Sequence, residues 1–266
     1  MMTTSISTEA LAQQLEDVWQ QDCPPLAPFS ETGILKTVEE AYAVQTHWTR
    51  LRLGKGDKIL GRKIGLTSRA IQEQLGVKEP DYGSLWNSRF FPSSKDRAVI
   101  PSRLFIQPRL EGEIAFKIGQ KIQGPNITSQ EVMKATQSLA VAVEIIDSRI
   151  ENWRIKLIDT VADNASYGGF ATGEWSESLL KSDLPSLKMT TVQNGNCVAE
   201  GIGSAVMGHP AVAAAWLVNK LSTFGISMEP GDVILSGSLA KAIPVRQGDE
   251  FVFQVKDQSP LTIVFE

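Results

Sequence analysis

The strongest constraint on this chain is an acid in the wrong place. Residues 139–147 form an apolar run in which Glu144 is the one interior carboxylate, with Val141, Ala142 and Val143 before it and Ile145 and Ile146 after it. Such a run predicts a buried strand, and an ionised glutamate inside one is costly without a partner. A second strand is predicted over residues 109–116, between the Pro108 break and the Gly119 turn. Side chains alternate along a strand, so Glu111 and Glu113 share a face and Gly112 points to the other. Two carboxylates side by side near a core repel each other unless a cation lies between them. Glu111, Glu113 and Glu144 therefore predict a divalent-cation site, and the near absence of His and Cys makes the ion Mg²⁺ or Mn²⁺ rather than zinc. The competing reading of a Glu-x-Glu strand is a solvated outer face, which the apolar flanks of Glu144 oppose.

Composition narrows the function classes. The chain has 266 residues, 42% of them hydrophobic and 21% charged, enough for one sizeable core with or without an accessory lobe. A formal charge of -4 with no Lys/Arg cluster opposes a nucleic-acid or anionic-membrane surface, so a small-molecule substrate is expected. Cys23 and Cys197 are too few and too distant for a disulfide framework, and predict free thiols that serve packing. The first ten residues lack a basic and apolar leader, and no window approaches the roughly 18 apolar residues of a membrane span, so a cytoplasmic protein is expected. His47 and His209 lack triad-like neighbours, and there is no Gly-x-Ser-x-Gly, Gly-x-Gly-x-x-Gly or P-loop. Serine-hydrolase and nucleotide-cofactor chemistry are thereby disfavoured.

The pattern along the chain predicts an α+β protein, with a small, mainly helical N-terminal region over residues 1–75 and a β-rich catalytic domain over 76–266 carrying the metal site. Helices are expected over 7–21, capped at Thr8, and over 37–53, with Ala41, Val44, Gln45 and Trp48 inward. Residues 58–66 read as a strand, and Thr67 or Ser68 caps a helix over 69–75. By local pattern Lys63 is a surface lysine. Residues 79–83 read as a turn in which Asp81 is a turn former. Short strands follow at 99–100, 104–106, 114–118 and 140–146, with a helix over 129–138 and another over 150–158 carrying Trp153. Residues 159–169 read as a polar, solvated loop. Asn194-Gly195 signals a hairpin between 187–193 and 196–200. A buried helix over 211–224, a strand over 233–239 ending in small polar residues, and strands over 251–255 and 261–265 complete the chain.

Six motifs then occur together: residues 61–68, 80–83, 111–116, 144–149, 163–166 and 234–239. In this order they resemble the 2-oxopent-4-enoate (2-hydroxypenta-2,4-dienoate) hydratases, which with the 4-oxalocrotonate decarboxylases belong to the fumarylacetoacetate hydrolase superfamily. The resemblance runs from about residue 37 to the C-terminus. It implies a β-rich roll of the fumarylacetoacetate hydrolase C-terminal type behind a smaller helical part, Glu111, Glu113 and Glu144 as ligands of Mg²⁺ or Mn²⁺, and Lys63 and Asp81 as catalytic residues. It further implies that Ser166, Ser236 and Ser238 line the pocket for a 2-oxo or 2-hydroxydienoate. The implied reaction is metal-assisted addition of water at C4, giving 4-hydroxy-2-oxopentanoate in aromatic catabolism. A homo-oligomer is expected, and a complex with a related decarboxylase is a further implied partnership. Residues 111–116 and 147–163 look more like the hydratases than the decarboxylases. The alternatives are decarboxylation of a 2-oxo-3-hexenedioate, for which Arg62, Arg109 or Lys241 would supply a cationic far wall, and a non-catalytic partner subunit of such an enzyme.

Overall fold

A computed structural model describes residues 6–266; the leader-free reading of the N-terminus rests partly on residues 1–5, which lie outside the described residues. The chain begins with helix α1 (Thr8–Trp19), a single turn α2 (Phe29–Thr32) and helix α3 (Val38–Gly54). Ser7, not Thr8, caps α1, its hydroxyl accepting the Ala10 N–H at 3.2 Å. Thr37 and Glu40 form a reciprocal capping box at the start of α3. Leu11, Leu15, Val18 and Trp19 of α1 are buried, as are Ala41, Val44 and Trp48 of α3. Glu16 is buried with them, accepting from Trp48 Nε1 at 2.8 Å, Lys55 Nζ at 2.9 Å and Arg52 Nη1 at 3.2 Å.

The remaining elements are β1 (Ile59–Gly65), α4 (Arg69–Leu75), β2 (Asp81–Trp86), β3 (Arg97–Ile100), β4 (Arg109–Ile118), α5 (Ser129–Ala135), β5 (Thr136–Ile146), α6 (Leu157–Ala162), β6 (Tyr167–Thr172), β7 (Lys188–Gln193), β8 (Asn196–Ile202), α7 (Pro210–Ser222), β9 (Val233–Leu235), β10 (Ile243–Pro244), β11 (Glu250–Val255) and β12 (Leu261–Phe265). A seven-stranded sheet runs β2-β1-β9-β4-β5-β6, with β10 also paired to β4, and a five-stranded sheet runs β3-β12-β11-β7-β8. Strand β1 precedes residue 76 in sequence but hydrogen-bonds to β2 and β9, so the larger sheet begins at Ile59.

Alternation sorts the larger sheet into two unlike faces. Ile64, Ile114, Phe116, Leu139, Val141, Val143 and Ile145 pack with Phe251, Phe253, Ile263 and Phe265 of the smaller sheet and with α7. Ala115, Ala140, Ala142, Val233 and Leu235 face the other way, under the tryptophans of the N-terminal helices. The second face carries small residues, and Glu111, Glu113 and Glu144 lie on it by strand parity. Gly112 belongs to the first face, where a Cβ would come within 2.5 Å of Met189 Sδ and 2.9 Å of Phe253 Cδ1. Any side chain there would push the two sheets apart.

Several sequence expectations require correction. Residues 81–86 are a fully buried strand rather than a turn. The region of 104–106 contributes no strand; a 3-10 turn at Ser102–Leu104 stands there. The helix expected over 129–138 stops at Ala135 because Thr136 already pairs in the sheet, opposite Ile118. The helix over 150–158 becomes a short turn at Glu151–Trp153 and then α6. The strand expected over 233–239 ends at Leu235, four residues early. Cys23 and Cys197 are both exposed, one after α1 beside prolines and one on the edge strand β8, so neither packs a core. No helix among the described residues is long and apolar enough to cross a membrane.

Candidate active site

Antiparallel pairing of β4 with β5 sets Glu111 opposite Glu144 and Glu113 opposite Ala142. Because Ala142 is small, Glu113 and Glu144 can converge, and one ligand atom from each of the three glutamates lies within 4.8 Å of the others. Glu113 and Glu144 are fully buried. Glu113 Oε2 accepts the Gly237 N–H at 2.7 Å, where the chain leaves the end of β9, whereas Glu113 Oε1 and both oxygens of Glu144 have no hydrogen-bond partner. Burial raises the pKa of all three, most clearly for Glu113, where Glu144 and Glu111 add like-charge repulsion. Glu144 is pushed up to about 8 by burial, which Lys63 only partly offsets.

Lys63 reaches this cluster from β1, on the same face. Its Nζ lies 3.3 Å from Glu144 Oε1 and donates to the Ala165 carbonyl at 3.0 Å. Burial alone would lower its pKa, but Glu144, Asp81, Glu111 and Glu113 together hold it above the ordinary lysine value. Asp81, paired opposite Gly65 on the neighbouring strand, shares that face and is 1% exposed. Burial raises its pKa against the opposing pull of Lys63. A Cβ on Gly65 would fall 2.2 Å from Asp81 Oδ1 and 3.1 Å from Lys63 Nζ. The two groups thus converge over a glycine that leaves them room.

The cover of the site is the segment expected to be a solvated loop, and it is almost entirely buried. Asp159, Thr160, Asp163, Asn164 and Ser166 are each 4% exposed or less. Asn164, Ala165 and Ser166 take left-handed backbone conformations, with φ of 53°, 53° and 52°. Three such residues in a row are unfavourable for L-amino acids and persist only where surrounding contacts enforce them. Arg149 supplies many of those contacts. Its Nε donates to Asp163 Oδ1 at 2.6 Å, its backbone N–H to Asp163 Oδ2 at 3.1 Å, and Nη2 and Nη1 to the Asp163 and Tyr167 carbonyls at 2.9 Å each. Asn164 completes the clamp by accepting the Ser84 N–H at 2.7 Å and donating to the Ser84 carbonyl at 2.9 Å, as a strand neighbour would. The outcome is a carbonyl, that of Ala165, fixed on Lys63.

Of the expected substrate-binding serines, Ser166 is buried and lies 3.3 Å from the Thr160 hydroxyl, while Ser236 is buried beside the carboxylates' strand with an unpartnered hydroxyl. Ser238 differs, since its hydroxyl donates to the Ala240 carbonyl at 2.7 Å within its own turn. Among the three cations considered for a far wall, Arg62 alternates to the opposite face beside Ile64, and Lys241 is exposed. Arg109 shares the face of Glu111, partly offsets the burial that raises its pKa, and stacks 4.4 Å over the Trp153 ring. Gly65, Arg149, Thr160 and Asn164 escaped the local pattern. The motif at residues 144–149 included Arg149, but its partner Asp163 is not adjacent in sequence.

Comparison with known proteins supplies the family. The profile of the fumarylacetoacetate (FAA) hydrolase C-terminal family matches residues 62–264. A 2-hydroxyhexa-2,4-dienoate hydratase of Comamonas testosteroni is 43% identical over 242 residues, 90% of each chain. A 2-keto-4-pentenoate hydratase of Paraburkholderia xenovorans is 38% identical over 258 residues, 97% of this chain and 94% of the relative. Among solved structures, a 4-oxalocrotonate decarboxylase from Pseudomonas putida G7, complexed with magnesium and adipate, superposes with a TM-score of 0.92 at 32% identity over 97% of both chains. On the strength of the match over residues 62–264 and of relatives aligned along nine-tenths or more of its length, the chain belongs to the fumarylacetoacetate hydrolase family.

Proposed function

We propose that the protein is a hydro-lyase that, with a bound divalent cation, adds water to a short 2-hydroxy-2,4-dienoate in the breakdown of aromatic ring-cleavage products. For 2-hydroxypenta-2,4-dienoate the product is 4-hydroxy-2-oxopentanoate. The observation that carries the metal-dependent site is the set of buried oxygens on Glu113 and Glu144 that accept no hydrogen bond, gathered with Glu111 around the single Lys63 ammonium. The reaction type rests on the hydratases among the relatives.

The residues suit a hard cation. All three candidate ligands offer oxygen, their charges lack a matching number of cations, and buried acceptors are left without donors. Glu111, Glu113 and Glu144 would hold Mg²⁺ or Mn²⁺, which would supply a Lewis acid to polarise the substrate. Lys63, kept charged by its acidic neighbours, is a hydrogen-bond donor to negative charge developing on substrate oxygen. Asp81 Oδ1, buried without a partner beside Lys63, is the group to take a proton from the attacking water. Burial raises its proton affinity, which strengthens it as a base. Ser166 and Ser236 orient substrate or water from the pocket wall.

Decarboxylation is the second reading, favoured by the superposition on the 4-oxalocrotonate decarboxylase and by Arg109 on the carboxylate face. One experiment separates the two. Freshly generated 2-hydroxypenta-2,4-dienoate and 2-oxohex-3-enedioate are each followed spectrophotometrically with Mg²⁺, with Mn²⁺ and with EDTA, beside the Glu113→Ala variant. Metal-dependent conversion of the dienoate to 4-hydroxy-2-oxopentanoate, lost in E113A, is expected. Release of CO₂ from the dioate with no hydration of the dienoate would reassign the protein to the decarboxylases. Turnover of neither would favour a non-catalytic subunit.

A further inference from the structure

Thr160 belongs to none of the groups assigned above, yet it joins two of them. It sits on α6, is 4% exposed, and its Oγ1 lies 3.3 Å from Asp81 Oδ2 and 3.3 Å from Ser166 Oγ. Helix α6 is itself tied down. Asp159 accepts the Ser30 N–H at 2.9 Å, the Ser30 hydroxyl at 2.6 Å and the Lys156 N–H at 2.7 Å, and Gln45 Nε2 bridges the Val161 and Tyr82 carbonyls at 2.9 Å each. The hydroxyl is therefore presented from a fixed backbone.

We propose that Thr160 is a positioning residue for the hydration reaction, fixing the rotation of the Asp81 carboxylate and the direction of the Ser166 hydroxyl. The assignment rests on the hydratase reading. A hydroxyl has one proton, and an ionised carboxylate only accepts. Thr160 must then donate to Asp81 Oδ2 and accept from Ser166. Two consequences follow. The Asp81 carboxylate cannot spin, so its other oxygen stays over Gly65, next to Lys63. The Ser166 proton is committed inward, so Ser166 offers lone pairs to the pocket and serves as an acceptor for a water or hydroxyl proton. Valine in place of Thr160 keeps the shape and removes both effects, whereas serine keeps them.

The test compares wild type, Thr160→Val and Thr160→Ser, each loaded with Mg²⁺, in steady-state turnover of 2-hydroxypenta-2,4-dienoate and in crystal structures. Misplacement of a reacting group by an ångström can cost on the order of 100-fold, so kcat of T160V is expected to fall roughly 10–100-fold with KM within about threefold of wild type. T160S is expected within about threefold of wild type in both constants. In the crystals the Asp81 carboxylate should turn in T160V and stay in T160S. Should T160V not fold, Thr160→Ala takes its place with the same expectations. A kcat unchanged in T160V, a T160S variant as slow as T160V, or an Asp81 carboxylate that keeps its orientation in T160V would overturn the proposal. Wild-type protein inactive on the dienoate would instead refute the hydratase reading, and the orientation of Asp81 in the crystals would then decide the role of Thr160 alone.

Discussion

Replacing Asn164 by alanine tests whether the left-handed cover of the site is enforced by named contacts. Asn164 is fully buried, its φ is 53°, and its side-chain amide makes two hydrogen bonds to the backbone of Ser84, at 2.7 and 2.9 Å. Alanine leaves the Ser84 N–H and carbonyl inside β2 without partners, at about 1–3 kcal/mol each. It also places a residue with no local hydrogen-bonding option in the left-handed region, which adds roughly 1 kcal/mol relative to asparagine. The sum is about 3–7 kcal/mol, a large part of the ~5–15 kcal/mol that stabilises a typical protein. At about 2–4 °C per kcal/mol for a chain of this size, the melting temperature should drop by at least ~6 °C.

Asn164→Gly separates the two contributions. Glycine adopts positive φ freely, so it recovers the conformational part and not the hydrogen bonds. Denaturant midpoints should rank wild type above N164G and N164G above N164A. Both variants should also lose most hydratase turnover, because the Ala165 carbonyl that holds Lys63 at 3.0 Å depends on the same clamp. An N164A protein destabilised by less than about 1 kcal/mol, or less than N164G, would show that the loop is held by something other than this pair of bonds.

Three further outcomes are expected. Glu144 is pushed up to about 8 by burial, so the metal-free folded protein holds a proton there that the unfolded chain releases near its ordinary value of 4.5. Stability without metal should therefore fall as pH rises between those values, and Mg²⁺ affinity measured by calorimetry should strengthen over the same window with proton release; a pH-independent affinity would contradict it. Glu16 shifts the other way, since burial is outweighed by the Trp48, Gln20, Lys55 and Arg52 partners that lower its pKa. Its contribution is present above about 4.5 and is lost as pH falls through the lowered value, so Glu16→Gln should flatten the acid limb of urea unfolding, and an unchanged limb would refute the assignment. Gly65→Ala puts a methyl group 2.2 Å from Asp81 Oδ1, and kcat should fall at least about tenfold because one of the two must move; wild-type kinetics would mean that Asp81 is not held there.

The sequence was most legible where local chemistry and tertiary outcome coincide. The hairpin at Asn194-Gly195 formed as expected, with φ of 50° and 84° at its two turn residues. The parity of Glu111 and Glu113 survived because strand alternation is a property of the backbone, and the apolar flanks of Glu144 correctly announced a buried face. Residues 79–83 mislead for the opposite reason. A proline, an acid and a glycine so close together satisfy turn chemistry, but Asp81 is held in a strand by pairing with β1, a partner some sixteen residues away by register with Gly65. Residues 159–166 illustrate a deeper degeneracy. A polar segment dissolved in water and a polar segment folded into its own hydrogen-bond network have the same composition, so polarity alone cannot separate solvation from burial.

What separates a structural acid from a functional one is the accounting of its oxygens. Asp163 and Asp147 are as deeply placed as Glu144 to within a few per cent of exposure. Asp163 accepts from Arg149 Nε, the Arg149 N–H and Ser148 Oγ, and Asp147 accepts the N–H groups of Ile106 and Gln107 at 3.0 and 2.8 Å. Their acceptors are filled by the protein itself, and their work is to shape the backbone. Glu144 Oε2, Glu113 Oε1 and Asp81 Oδ1 are left without partners on one face of one sheet, and Glu144 Oε1 has only the Lys63 ammonium at 3.3 Å. Leaving three buried acceptors without donors costs about 1–3 kcal/mol apiece, a cost that a chain of marginal stability does not keep without use. Titrating the protein with Mg²⁺ while following thermal unfolding checks that inference directly: a rise in melting temperature that Glu144→Gln abolishes and Asp163→Asn does not is expected, because only Glu144 has acceptors left to give.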